Sequence, residues 1–178
     1  AKVLDICCGD GFNSYHFYSH LAQNVTAIDF DPKAIEHAKK HFKADNLDYK
    51  IVDIRKGLPQ GTFTNIIWDA AIEHFTLEEM NAIFQQILER LTPDGILSGY
   101  TMVKADHGLS HHDHEHEFES KAELRERLKE FFKYVVVFET KYPSRHNLYF
   151  YASNTPLAFL KDFQATQLES NQPYAKLA

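Results

Sequence analysis

The sequence predicts an α/β domain in which a doubly wound, mostly parallel sheet of seven strands ends in a C-terminal antiparallel hairpin. Apolar runs of strand length alternate with segments of helical periodicity through most of the chain, which is typical of parallel strands joined by crossover helices. A turn of small residues, 7–11, joins the first strand to the first helix. Two β-rich segments near the end have a connection too short for a crossover, so we expect them to pair antiparallel.

The individual elements follow from hydrophobic periodicity and from capping signals. Strands are predicted at residues 1–6, 25–29, 49–53, 65–68, 96–103, 134–140 and 147–153. Helices are predicted at residues 12–21, from Pro32, after Thr76 and after Ser120. Pro32 stands where a helix accepts proline, at its first position. Thr76 and Ser120 are each followed three residues later by Glu, the pattern of a capping box.

Length, charge and apolar content limit the class of protein. The 178 residues are enough for one domain, which we assign to residues 1–153, with residues 154–178 as a tail that packs on it or extends it. Because residue 1 already lies in an apolar strand, we expect a further N-terminal portion to precede it. The formal net charge of -6 disfavours extended nucleic acid as a partner. No run approaches the roughly 20 apolar residues of a membrane helix, so we expect a cytoplasmic protein without a membrane partner.

Acidic residues lie in or beside four of the first five predicted strands: Asp5, Asp29, Asp53 and Asp69. Doubly wound sheets bind ligands outside the carboxyl ends of their strands, where the strand order reverses. Taken singly, each acid is equally well explained as a solvated loop residue. Taken together, they favour a ligand that carries positive charge and disfavour one that carries phosphates.

Two cofactors compete for the turn after the first strand. Gly9-Asp10-Gly11 matches the start of G-x-G-x-x-G, in which backbone amides approach a pyrophosphate at a helix N-terminus. However, Ser14 occupies the third glycine position, and Asp10 would repel a diphosphate. A cationic sulfonium nucleoside has no such conflict, because its ribose diol can bind Asp29 and its exocyclic amine can donate to Asp53.

The order of these motifs resembles that of the class I S-adenosylmethionine-dependent methyltransferases, which have a Rossmann-like sheet. Residues 5–11, Asp-Ile-Cys-Cys-Gly-Asp-Gly, are similar to the family's first motif, with Cys7 where a glycine is usual. By this resemblance Asp29 holds the ribose, Phe30 packs on the adenine, and Asp53 and Ile54 contact the adenine amine and ring. The full set of cofactor-binding residues implied is Asp5, Cys7, Gly9, Gly11, Asp29, Phe30, Asp53, Ile54, Asp69 and Ala70.

The resemblance implies methyl transfer from S-adenosylmethionine, and the acidic net charge favours an oxygen or nitrogen of a small molecule as the acceptor. The donor is already activated, so the protein mainly aligns the reacting atoms. An acceptor hydroxyl also needs a base, and Glu73 and His74, just past the fourth strand, are the predicted catalytic pair. The competing interpretation is that both residues only form local hydrogen bonds near the next helix.

Histidines crowd the loop after the fifth predicted strand: His107, His111, His112, His114 and His116. They are interleaved with acids, and such a loop can bind a divalent metal, although histidine-rich tracts are often only polar loops. Methyltransferases that act on RNA 3′ ends look similar here, with Glu-x-x-Glu-His after strand four and a His after strand five as metal ligands. This chain has Ala70 at the first of those acids, so we assign no metal from the sequence.

Two other function classes stay open. One is a NAD-dependent oxidoreductase, which Asp10 and Ser14 disfavour. The other is a protein that binds S-adenosylmethionine without turnover. Binding of NAD would distinguish the first, and an incomplete acceptor pocket would favour the second.

Overall fold

Seven strands form one sheet in the computed structural model of the chain, which describes residues 1–105, 109–142 and 145–159. The strands are β1 (Lys2–Ile6), β2 (Asn24–Asp29), β3 (Leu47–Ile51), β4 (Phe63–Asp69), β5 (Leu91–Met102), β6 (Tyr134–Tyr142) and β7 (Arg145–Ser153). Their order is β3-β2-β1-β4-β5-β7-β6. Strands β1 to β5 pair in parallel, whereas β7 lies antiparallel between β5 and β6. The predicted doubly wound sheet with a C-terminal hairpin is confirmed.

The second, third and fourth helices begin where Pro32 and the capping signals place them, whereas the first, predicted at residues 12–21, is divided into two segments. The helices are α1 (Ser19–Leu21), preceded by a π-helical segment at Ser14–Tyr18, then α2 (Pro32–His41), α3 (Leu77–Arg90) and α4 (Lys121–Lys129). Thr76 and Glu79 form a complete capping box at α3. At α4 only half of the box is present, since Ser120 accepts from the Glu123 amide while the Glu123 carboxylate accepts from the Glu119 amide. None of the described helices is long and apolar enough to cross a membrane.

Strand β5 begins five residues earlier than predicted. Phe63 pairs with Leu91 and Asn65 pairs with Ile96, so an irregularity in the β4–β5 ladder absorbs residues 92–95. Strand β3 ends two residues before the acid that was expected to close it. Asp53 instead begins a turn, in which its backbone oxygen accepts from the Lys56 amide at 2.9 Å.

Apolar clusters cover both faces of the sheet. The larger one contains Ile28, the fully buried Trp68 and the buried face of α3 and α4. The smaller one, under α2, includes Ala27, Ala38 and Tyr49. Ala27 and Ile28 are consecutive on β2, so their side chains point to opposite faces. The sheet is therefore buried on both sides, as parallel sheets are.

The start of the predicted tail lies against this sheet. Leu157 is 4% exposed, and the Phe159 ring packs edge-on against Tyr151 with centroids 5.0 Å apart. Residues 160–178, including Leu160, lie outside the described part of the chain, as does His107. The division between domain and tail stays a prediction.

Candidate functional site

A cavity of about 540 Å³ opens at the carboxyl ends of β1, β2 and β4. The strand order reverses between β1 and β4, so this is the switch point at which doubly wound sheets bind ligands. The volume is in the range of small-molecule sites. The residues that line it are Cys7, Asp29, Phe30, Arg55, Ala70, Ala71, His74, Phe75, Asp113 and Glu115.

Two neighbouring strands end in the left-handed backbone conformation beside this cavity. Cys7 follows β1 with φ 60°, and Ala70 follows β4 with φ 49°. This conformation is uncommon for residues with a Cβ and is concentrated at functional sites. It explains why a glycine is usual at the position of Cys7. Burial, followed by the nearby Asp29 charge, raises the pKa of the Cys7 thiol, so this side chain is a small neutral group at the cavity wall.

Glycines shape the rest of the turn after β1. Gly9 has φ +55°, and a Cβ there would meet no atom within 4 Å, so its surroundings are open. Gly11 has φ +82°, and a Cβ there would lie 2.7 Å from the Tyr49 hydroxyl and 2.8 Å from the Ala38 Cβ. Gly11 therefore packs the turn onto α2 and β3, and neither glycine is among the residues that line the cavity.

Asp29 is the acid that the structure brings to the cavity with a fixed orientation. Its Oδ2 accepts a hydrogen bond from the Gly9 amide at 2.8 Å, and its Oδ1 accepts from the Asp31 amide at 2.9 Å. Each carboxylate oxygen still has a free lone pair, because a carboxylate has about four acceptor sites. Beside it, the Phe30 side chain is 64% exposed at the cavity rim.

Asp5 and Asp69 accept hydrogen bonds from the helical segment after the turn, and they do not line the cavity. Asp5 is 3% exposed and accepts from the Ser14 hydroxyl at 2.5 Å. Burial raises the pKa of Asp5 to about 7, the Ser14 hydrogen bond opposes this rise, and the Asp69 and Asp29 charges add to it. Asp69 accepts from the Tyr18 hydroxyl, and burial raises its pKa as well. Ser14, which departs from the dinucleotide pattern, therefore has a structural partner.

Asp53 and Ile54 are not brought to the cavity wall. The Asp53 carboxylate accepts from the Arg55 amide at 3.1 Å and lies 3.4 Å from the Lys56 ammonium. Ile54 is 2% exposed and belongs to the larger apolar cluster. The adjacent Arg55, which sequence reasoning missed, lines the cavity instead.

Arg55 is held by Glu79 of α3 and by Phe75, which precedes that helix. Its Nε lies 2.9 Å from Glu79 Oε1, and its guanidinium lies over the Phe75 ring, 4.6 Å from the centroid. Glu79 belongs to the capping box from which α3 was predicted, but its contact with Arg55 joins residues 24 apart in sequence. No local pattern could have indicated it.

The predicted catalytic pair lies in the 3₁₀ turn Ile72–His74, and its two members differ in exposure. His74 lines the cavity, and its Nδ1 lies 3.1 Å from the Asp113 carbonyl oxygen. Glu73 is 3% exposed, and its Oε2 accepts from the Thr101 hydroxyl at 2.9 Å. His114 packs edge-on to His74 with ring centroids 4.8 Å apart. The histidine loop thus reaches the predicted catalytic pair.

Fold and cavity together define a Rossmann-like α/β domain with a cavity of small-molecule size at its switch point. Residues 3–95 match the family model described as a methyltransferase domain. The chain belongs to this family, the class I S-adenosylmethionine-dependent methyltransferases. The predicted family is confirmed, and with it S-adenosylmethionine as the cofactor of the family.

Relatives with known names agree on the family. The chain is 33% identical over 101 residues to the mitochondrial ubiquinone biosynthesis O-methyltransferase of Schizosaccharomyces pombe, with 54% of this chain and 36% of the relative covered. It is 25% identical over 97 residues to the malonyl-[acyl-carrier protein] O-methyltransferase of Acetivibrio thermocellus, with 54% and 34% covered. The chain thus spans about a third of the length of these relatives.

The fold is shared with solved structures. The DhpI-SAM-HEP complex superposes with a TM-score of 0.71 at 21% identity, over 87% of this chain and 78% of that one. At this identity the likeness concerns the fold, and function has to be argued from the residues of the site.

Proposed function

We propose that this chain binds S-adenosylmethionine in the cavity at the switch point and supports transfer of its methyl group to an oxygen or nitrogen of a small molecule. The observation that carries the proposal is the fixed Asp29 carboxylate at the end of β2, which lines the same cavity as the left-handed residues Cys7 and Ala70 at the ends of β1 and β4. S-adenosylmethionine supplies a methyl group on a positively charged sulfur, and the acids around this turn favour such a charge.

The residues present fit the cofactor. Asp29 has lone pairs left for the ribose diol, and Phe30 offers an exposed ring at the rim for the adenine. The open space around Gly9 lets a ligand approach the backbone closely. Ala70 belongs to the opposite side of the same cavity, next to the braced Asp69, where the methionine end of the cofactor is proposed to bind. The predicted contacts of Asp53 and Ile54 with adenine stay proposals.

The acceptor is proposed to bind on the side of the cavity formed by His74, Asp113 and Glu115. There His74 would take the proton of an acceptor hydroxyl. The buried Glu73 would fix the position of the turn that carries His74. The names of both curated relatives as O-methyltransferases favour oxygen over nitrogen as the acceptor atom. A cytoplasmic location is proposed from composition.

Calorimetry with S-adenosylmethionine, S-adenosylhomocysteine and NAD tests the proposal. We expect the two sulfur nucleosides to bind and NAD to give no heat. Asp29→Ala should weaken binding at least about tenfold, because hydrogen bonds to charged groups contribute about 1.5–3 kcal/mol each. The matched control is Asp45→Ala, which removes an exposed acid from the loop before β3 and should leave affinity unchanged.

Two results would reject the proposal. Binding of NAD in place of S-adenosylhomocysteine would support the alternative, an NAD-dependent oxidoreductase. Equal affinity of Asp29→Ala and the intact chain would show that the cofactor lies elsewhere. Thermal melting of both variants without ligand reports whether a loss of heat reflects a loss of fold.

A further inference from the structure

We propose that Glu73, His74 and His114 form a binding site for a divalent transition-metal ion. One potential ligand atom from each of the three side chains lies within 4.8 Å of the other two. Glu73 and His114 are 3% and 6% exposed, so a carboxylate and an imidazole are buried side by side. Each of the two has a partner that fixes its orientation, Thr101 for Glu73 and Glu117 for His114, as the ligands of metal sites have.

The hydrogen bonds of both histidines leave the same ring nitrogen available. His74 Nδ1 lies 3.1 Å from the Asp113 carbonyl oxygen, which can only accept, so Nδ1 carries the hydrogen. His114 Nδ1 is hydrogen-bonded to the Glu117 carboxylate. With Nδ1 engaged in each ring, Nε2 is the nitrogen left to bind an ion. Histidines that bind metals have this arrangement, with the other ring nitrogen donating to a carbonyl or carboxylate.

The ligand set selects the kind of ion. Two imidazoles and one carboxylate suit Zn²⁺ and Fe²⁺, whereas Mg²⁺ and Ca²⁺ prefer oxygen ligands. Ligand atoms about 2.1 Å from one zinc ion are roughly 3.4 Å apart. Side-chain movements of about 1 Å would therefore bring these three onto an ion. The Thr101 hydroxyl, which donates to Glu73 Oε2, would orient the carboxylate.

Three protein ligands leave at least one coordination position open, as in catalytic metal sites. His74 lines the cavity, so the ion would lie at the wall proposed for the acceptor. This role rests on the proposed function: an oxygen-bearing acceptor would complete the coordination, and His74 would be a ligand instead of a proton acceptor. The sequence did not favour a metal because Ala70 stands where the RNA 3′-end methyltransferases have their first acidic ligand.

The test measures ion binding directly on the tag-free chain after treatment with a chelator. Calorimetry with Zn²⁺ should show one ion per chain, and Co²⁺ should give the visible absorption of a four- or five-coordinate site. Glu73→Gln, His74→Gln and His114→Gln should each weaken binding at least tenfold. Glu117→Gln, which replaces the carboxylate bonded to His114 and Ser110, should weaken it about 10- to 100-fold. His112→Gln removes an exposed histidine of the same loop and should leave affinity unchanged.

Binding of S-adenosylhomocysteine by the same samples separates the two proposals. If the intact chain binds the nucleoside but neither Zn²⁺ nor Co²⁺, the metal site is rejected and the proposed function stands. If it binds the ions but not the nucleoside, the reverse holds. Unchanged Zn²⁺ affinity in Glu73→Gln and His114→Gln, or an equal loss in His112→Gln, would also reject the site. A variant that still binds the nucleoside is folded, so its loss of the ion counts as support.

Discussion

Asp5 is a buried acid whose contribution to stability depends on pH. Burial is the main reason that its pKa rises from the ordinary 3.8 to about 7. Between these two values the folded chain holds a proton that the unfolded chain has released. Its contribution to the free energy of unfolding is therefore full below about pH 4, falls as pH rises toward 7, and is flat above that.

Asp5→Asn is expected to remove this pH dependence. The intact chain should lose up to about 1.4 kcal/mol of stability per pH unit relative to the variant between pH 5 and 7, since one proton is linked to unfolding. Urea unfolding of both proteins at pH 5, 6, 7 and 8 measures the difference. Asp45→Asn, at an exposed position, should run parallel to the intact chain. A constant difference between the intact chain and Asp5→Asn across this range would contradict the expectation.

Single residues also show what the sequence could and could not predict about the site. Asp29, Cys7, Phe30 and Ala70 were predicted and line the cavity, because the end of a parallel strand fixes where the next residues lie. Whether an acid beside a strand faces the ligand depends on partners distant in sequence. The Tyr18 hydroxyl bonds to the Asp69 carboxylate 51 residues away, and strand periodicity carries no information about such a contact.

At the scale of elements, the capping box at the N-terminus of α3 includes a residue, Glu79, that also contacts the cavity wall. The Thr76 hydroxyl accepts from the Glu79 amide at 3.2 Å, and the Glu79 carboxylate accepts from the Thr76 amide at 2.9 Å. The Thr76 hydrogen bond, with help from Arg55, holds the pKa of Glu79 below its ordinary value despite some burial. The carboxylate therefore stays ionised and pairs with Arg55 at the cavity wall.

Thr76→Ala should lower the free energy of unfolding by about 1 kcal/mol, the usual cost of losing such a cap. Thr76→Ser keeps the hydroxyl and should restore most of the stability. Thr62→Ala, at an exposed position in the loop before β4, is the matched control and should change stability little. Chemical denaturation measures all three. A loss no larger than that of Thr62→Ala would mean that the carboxylate of Glu79 alone stabilises the helix start.

The elements were predictable to the extent that their signals are local. Pro32 and the Thr76 capping box mark the starts of α2 and α3 correctly, since both act within one helical turn. The π-helical segment Ser14–Tyr18 was expected as ordinary helix, because its apolar residues fit either geometry. It carries both Ser14 and Tyr18, whose hydroxyls reach Asp5 and Asp69. Tertiary contacts therefore accompany the departure from α-helical geometry.

For the whole molecule, the alternation of strands and helices was enough to predict the sheet. Right-handed crossovers and the short hairpin leave few arrangements of seven strands, and the observed order is one of them. The cavity follows from that order, because it lies where the order reverses. The convergence of Glu73, His74 and His114 does not follow from it, since strand order does not specify the path of the loop after β5.

Net charge is a property of the whole chain, and its negative sign disfavours nucleic acid as a partner. With 19 Lys and Arg against 25 Asp and Glu, the chain repels a polyanion at long range. Non-specific binding to nucleic acid arises from released counterions, and it needs basic residues at the phosphates. A small acceptor carries few charges, and it experiences only the protein charges within about 10 Å of His74 at 0.1 M salt, so it is less affected by this repulsion.

We therefore expect no binding of single-stranded RNA, with or without Zn²⁺. Fluorescence anisotropy of a labelled oligonucleotide at low salt should stay constant up to about 0.1 mM protein, the weak end of ordinary non-specific affinity. A basic RNA-binding protein titrated in parallel shows that the probe responds. Binding that weakens steeply as salt is added would reveal a basic surface and contradict the expectation. Binding that appears only with Zn²⁺ and is lost in His114→Gln would instead make an RNA end the acceptor at the proposed ion.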